Sequence, residues 1–128
     1  MPGSFRVDPD LRLLIVEITG HTSFAEVMEL ANRILQEAPR NLDVLVDLSG
    51  VVKSEVTPEH MKGLARERWL EVPNRIAFVA TKPDVYGRAR AFQLVAEAHG
   101  TTTNVGVFHT LDEAMRWLRD EPSEPKSS

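Results

Sequence analysis

Apolar residues fall along this chain in two alternating rhythms. Two short runs come first, FRV at 5–7 and LRLLIVEIT at 11–19, with Asp8-Pro9-Asp10 between them. Proline sets φ for a turn and the flanking carboxylates accept bonds from turn amides, so these runs predict a β-hairpin turning at 8–10. Phe24, Val27, Met28, Ala31, Ile34, Leu35 and Ala38 then recur three and four apart, the spacing of one helical face. Thr22 or Ser23 supplies the cap of that helix and Pro39 its stop.

From there strands and helices alternate. LDVLVDL at 42–48 is a β-branched run closed by Ser49-Gly50, which predicts a strand. Thr57-Pro58-Glu59 is a helix start, with a capping hydroxyl, proline at the first helical position and an acid in the first turn. Met61, Leu64, Ala65 and Arg68 share a face of that helix and Pro73 ends it. RIAFVA at 75–80 predicts the next strand. Pro83-Asp84 opens a third helix with Tyr86, Ala89, Phe92, Val95, Ala96 and His99 near one face and Gly100 just past its end. NVGVF at 104–108 is the last strand, and Thr110 with Glu113 forms a capping box for a final helix carrying Leu111, Ala114, Met115 and Leu118.

The resulting order, β-β-α-β-α-β-α-β-α, predicts an α/β domain with a mostly parallel five-stranded sheet and one antiparallel edge strand. The simplest strand order is 1-2-3-4-5, because sequential strands tend to be neighbours. Val44, Val46 and Leu48 point to one face of the sheet, and Asp43, Leu45 and Asp47 to the other. The first face is the more apolar. Helices are therefore expected to cover it more completely, leaving the second as a candidate contact surface.

Composition narrows the picture. The chain has 128 residues, enough for one domain with a real core. The domain is read over 5–119, and DEPSEPKSS at 120–128 reads as a disordered tail. There is no cysteine, which excludes a disulfide framework, a thiol nucleophile and a Cys-ligated metal. Net charge is −4, against the basic stripe that a nucleic-acid binder needs. No apolar run approaches a membrane span and MPGSFRVDPD has no apolar signal core. The expectation is a cytoplasmic protein without a transmembrane segment.

Candidate chemistry is sparse. The four histidines are His21, His60, His99 and His109, and none sits at a metal-ligand spacing from another. His99 reads as a packed residue at a helix end, and His60 as a surface residue. His21 and His109 follow the C-terminal ends of strands, the rim where open α/β sheets bind ligands. With Asp47 and Lys82 they can be drawn as an acid–base site, but polar residues at strand ends are what any α/β loop carries. Asp47 fits better as an acceptor for loop amides. No Gly-rich phosphate loop and no nucleophile elbow occur. No catalytic residue, metal or cofactor is therefore expected. Lys82, Tyr86 and Arg88 stand at the start of the third helix, where free amides favour an anion. Trp69, beside Arg66 and Arg68, reads either as a contact residue or as a cover for the core edge.

The segment LDVLVDLSGVVKSEVTPEHMKGLA at 42–65 resembles the functional segment of STAS domains, the group that includes the bacterial anti-sigma-factor antagonists. Asp47, Leu48, Ser49, Gly50 and Val51 match the phrase that ends their third strand. LVDLSG (45–50), NRIAFVA (74–80), YGRARAF (86–92) and VFHTLDEAMRWL (107–118), in that order, resemble the SpoIIAA-like, STAS/SEC14-type family of small bacterial proteins more closely. The resemblance implies the fold already read and a protein-contact role. It departs at one point. Antagonists carry a phosphorylatable serine at the start of the following helix, where this chain has Glu55, Val56, Thr57 and Pro58. Thr57 is the only hydroxyl there, and it already reads as a helix cap.

These readings give two expectations. The first is a non-enzymatic regulatory module that contacts a protein partner through Ser54, Thr57, Arg66 and Trp69, with Thr57 a candidate phosphorylation site and a homodimer the simplest assembly. The second is a small-ligand or lipid-like anion binder at the strand rim, using Lys82, Tyr86 and Arg88.

Overall fold

The computed structural model describes residues 3–39, 42–65, 75–98 and 104–119. Its elements are β1 (Gly3–Asp8), β2 (Leu13–Thr22), α1 (Phe24–Glu37), β3 (Asp43–Ser54), α2 (Pro58–Ala65), β4 (Arg75–Val79), α3 (Pro83–Ala98), β5 (Asn104–Phe108) and α4 (Leu111–Arg119). They form one sheet in the order β1-β2-β3-β4-β5. β1 pairs antiparallel with β2, and every later pair is parallel. Architecture and strand order agree with the sequence pattern.

Local chemistry sets most boundaries. The Asp8 carboxylate accepts from the amides of Asp10 and Leu11, both at 3.1 Å. The hairpin turn nevertheless runs to Arg12, whose φ of 57° is left-handed, so β2 begins two residues later than the apolar run. Ser23, not Thr22, caps α1. Its Oγ accepts from the Glu26 amide at 3.2 Å, and the Glu26 carboxylate accepts from the Ser23 amide at 3.0 Å. Thr22 instead ends β2, buried. Thr110 and Glu113 form the expected capping box of α4.

β3 is longer than the run 42–48 predicted. It pairs with β2 as far as Thr22↔Ser54, and its register slips by one residue between Glu17 and Thr19 and again between Gly20 and His21. Each slip is an extra residue on β3, the geometry of a β-bulge. Gly50 sits at the first slip because a Cβ there would lie 2.7 Å from Thr19 Cγ2. Gly20, at φ 73°, supplies the left-handed bend on the facing strand. β4 pairs only with Val44–Asp47, so the β2–β3 ribbon outruns the rest of the sheet.

Three helices, α1, α2 and α3, pack on the first face, and α4 packs on the second, which is therefore not left open over its centre. The second face carries Leu45, Ala77 and Val79, at 3%, 0% and 2% exposure, packed with Leu13 under Ala114 and Leu118 of α4. On the first face Val44, Val46 and Leu48 are only half-buried. The reason is geometric. α4 carries small Ala114 at its centre and sits close to the sheet, whereas α1 buries only Leu30 fully and stands off. The sheet-face argument for a homodimer therefore has no open face behind it over Leu45, Ala77 and Val79. Its other support, Trp69, lies outside the described residues.

α3 supplies the rest of the first-face core. Ala89, Phe92 and Ala96 are fully buried against Ile76, Phe78 and Val105, and the Phe78 and Phe92 rings meet edge to face at 5.2 Å. Each fully buried large side chain of this kind contributes about 1.5–3 kcal/mol.

Candidate functional site

The C-terminal rim of the sheet is built by the ends of β2 and β3, the start of α2 and the start of α3. Most of its polar side chains are held by structural bonds. Asp47 Oδ1 accepts from the Ser49 amide at 2.9 Å and from the Ser49 hydroxyl at 2.6 Å, the loop-bonding role read for it. Lys82 Nζ donates to the Val51 carbonyl at 2.9 Å, tying α3 to the overhanging part of β3. His109 stacks on Tyr86 with centroids 4.1 Å apart and planes 7° apart. His21 is exposed on the ribbon. Among the described residues no three His, Asp or Glu side chains converge on a point that could hold a metal.

The β3–α2 segment carries Ser54 and Thr57. Ser54 Oγ accepts from the Val56 amide at 3.1 Å. Thr57 caps α2 as expected, its Oγ1 accepting from the His60 amide at 3.1 Å. In return His60 Nδ1 accepts from the Thr57 amide at 3.1 Å, so histidine fills the place glutamate takes in an ordinary capping box. The His60 ring also stacks on Phe24, with centroids 4.1 Å apart. It is thus half-buried and clasps α2 to α1, where the sequence reading made it a surface residue. Arg66 and Trp69 lie outside the described residues.

Lys82, Tyr86 and Arg88 do not converge. Lys82 is bonded to Val51 and Tyr86 lies against His109. Arg88 alone reaches inward, into an apolar cavity of about 180 Å³ between α1, the sheet and α3. Val16, Val46, Leu30, Ile34 and Phe92 are among its walls, and Thr22 and Ser54 bring hydroxyls at the strand C-terminal end. Arg88 Nη1 lies 3.4 Å from Asp84 Oδ2 on the solvent side. Its Nε is buried and has no hydrogen-bond partner. Sequence reasoning missed this cavity. The one available signal was the spacing of Val85, Arg88 and Phe92, which puts a guanidinium in line with two core residues of α3.

The strand order and the interleaved helices define an α/β fold of the STAS type. The family model described as SpoIIAA-like matches residues 13–119, and the chain belongs to that family. A crystal structure of an uncharacterized protein from Shewanella loihica PV-4, of the DUF3478 family with a SpoIIAA-like fold, superposes with a TM-score of 0.54 at 13% identity, covering 91% of each chain. That likeness is one of fold. No curated protein matches the chain. Among the described residues no helix is long and apolar enough to cross a membrane.

Proposed function

We propose that this chain is a non-enzymatic regulatory module that acts by contact with a protein partner through the overhanging end of β3 and the start of α2. The observation that supports it is the open β3 edge. Beyond Asp47, no β4 residue pairs with β3 among the described residues, and Val52 on that stretch is 64% exposed. An unpaired strand edge is a template for another chain, whose main chain adds hydrogen bonds while side-chain positions set specificity. Ser54 and Thr57 lie at the end of that edge, and Arg66 and Trp69 extend the proposed contact along the chain. Thr57 is exposed, so a kinase could reach its hydroxyl, and a phosphate at a helix N-terminus is electrostatically favoured. The non-enzymatic reading is supported by the structural bonds that occupy Asp47 and Lys82.

The test is affinity capture from lysate of the native host with wild type, Val52→Lys and Thr57→Asp, each verified as folded. The expected result is a specific partner retained by wild type and lost with Val52→Lys. A capture profile identical for all three proteins overturns the reading.

A further inference from the structure

The sheet treats its edges differently. On β5 the Val105 carbonyl is taken by Gln93 Nε2 at 2.7 Å. On the overhanging part of β3 the Val51 carbonyl is taken by Lys82 Nζ at 2.9 Å. β1, at the other end of the sheet, has one strand neighbour among the described residues, and it pairs with β2 through six residues without a slip. Edge strands are ordinarily blunted by lysine, proline or a bulge, and β1, GSFRVD, has none of these. Its side chains are also short of partners. Val7 is 41% exposed. Arg6 is exposed, as is Glu17 on β2, and neither has an ion pair among the described residues.

We propose that the β1 edge is the interface of a homodimer, in which the β1 strands of two copies pair antiparallel about a two-fold axis through Phe5 and join the two sheets into one. This interface is independent of the open β3 edge. A two-fold axis normal to the sheet keeps each face on its own side, so the axis must pass through a residue of the strand. Centred on Arg6, the pairing sets two arginines directly opposite each other, which is unfavourable. Centred on Val7, it runs into the turn and sets Phe5 against Pro9. Centred on Ser4, it uses only Gly3 to Phe5 of the described strand. Centred on Phe5, it uses Gly3 to Val7 and is complementary on both faces. On the first face Phe5 meets the partner's Phe5. Val7 lies opposite the partner's Gly3, where Leu30 stands in the place of a side chain, so an exposed valine gains an apolar neighbour. On the second face Arg6 lies opposite the partner's Ser4, whose own neighbour on β2 is Glu17. With strands about 4.8 Å apart, that carboxylate-bearing residue is roughly 10 Å away. An arginine reaching over a serine meets it, and the symmetry makes the pair twice.

Sedimentation equilibrium over about 1–200 μM, the range of weak to moderate association, tests it. The proteins are wild type, Arg6→Glu, Glu17→Arg, the double variant carrying both, Val7→Lys and Val52→Lys. Circular dichroism and melting curves establish that each variant is folded. Wild type is expected to dimerise within this range. Arg6→Glu and Glu17→Arg are each expected to weaken the dimer by at least about tenfold, because the symmetry creates the like-charge pair twice. The double variant exchanges the two charges and is expected to return to within about threefold of wild type. Val7→Lys puts a charge on the edge and weakens the dimer by at least about tenfold. Val52→Lys, on the β3 edge, leaves it unchanged. The proposal is overturned if wild type stays monomeric throughout, or if the β1 variants dimerise as wild type does. It also falls if the double variant is no better than the single ones, or if Val52→Lys abolishes the dimer. Should one charge variant fail to fold, the other and Val7→Lys decide.

Discussion

Arg75, the first residue of β4, donates from Nη2 to the carbonyl of Leu118 at 2.6 Å, near the end of α4. Nη1 donates to the Trp117 carbonyl at 2.7 Å, and the guanidinium lies 5.3 Å from the Trp117 ring centre. Helix C-termini leave their last carbonyls without partners, and here a buried strand residue satisfies two of them. Asp43 of β3 holds the other side. Its Oδ1 accepts from the Arg75 amide at 3.0 Å, and its Oδ2 lies 3.6 Å from Nη2. One buried arginine thereby fastens α4 to two central strands.

Arg75→Met is expected to destabilise the fold by about 3–5 kcal/mol, because it leaves both carbonyls and a carboxylate uncompensated at a buried site. Asp43→Asn keeps an acceptor for the Arg75 amide and is expected to cost less, about 1–2 kcal/mol. Urea unfolding of both single variants and the double variant measures the terms. A double variant no worse than Arg75→Met shows that Asp43 acts through Arg75. Full additivity contradicts that coupling.

The cavity beside Val46 and the close seat of α4 over Ala77 predict different tolerances on the two sheet faces. Ala77 lies under α4 with no exposure, and Ala77→Val is expected to cost about 1–3 kcal/mol by overpacking. Val46 borders the cavity, so Val46→Ile has room and is expected to change stability by less than about 0.5 kcal/mol. Melting temperatures of the two variants give the comparison. Equal losses would show that α1 packs the first face as tightly as α4 packs the second.

Gly106 of β5 is buried, and a Cβ there would lie 2.7 Å from the Phe108 ring and 3.3 Å from the Trp117 ring. Those rings meet at 5.4 Å and are wedged against each other, so neither gives way cheaply. Gly106→Ala is expected to destabilise by about 1–3 kcal/mol and to alter the near-ultraviolet circular dichroism of Trp117. An unchanged spectrum at unchanged stability would refute the close packing.

At Thr57 the cap alone predicts a graded series. Thr57→Ser is expected to be nearly neutral. Thr57→Ala loses the acceptor for the His60 amide and costs about 1 kcal/mol. Thr57→Asp keeps folding stability, because aspartate caps well and its charge suits a helix N-terminus. Thermal melts of the three variants check the order, and an Ala variant as stable as wild type would remove the capping role.

The hydrophobic periodicities of the chain, and its caps at Ser23, Thr57 and Thr110, determined the element order and hence the β-β-α-β-α-β-α-β-α sheet. These are local signals, since spacing along a strand or helix decides which side chains share a face. The likeness at 45–50, 74–80, 86–92 and 107–118 marked the family for the same reason: it is written in contiguous residues. Which helix lies close to the sheet was not legible. That depends on how Ala114 and Leu118 of α4 fit Ala77 and Val79 across space, and on how far α1 stands from Val44 and Val46. Arg75 and Arg88 show the same limit. In one dimension Arg75 reads only as the start of a strand and Arg88 as part of an anion-favouring helix start. Tertiary packing buried Arg75 against carbonyls more than forty residues away and set Arg88 at the edge of an apolar cavity, because a side chain's partners are set by the elements packed around it.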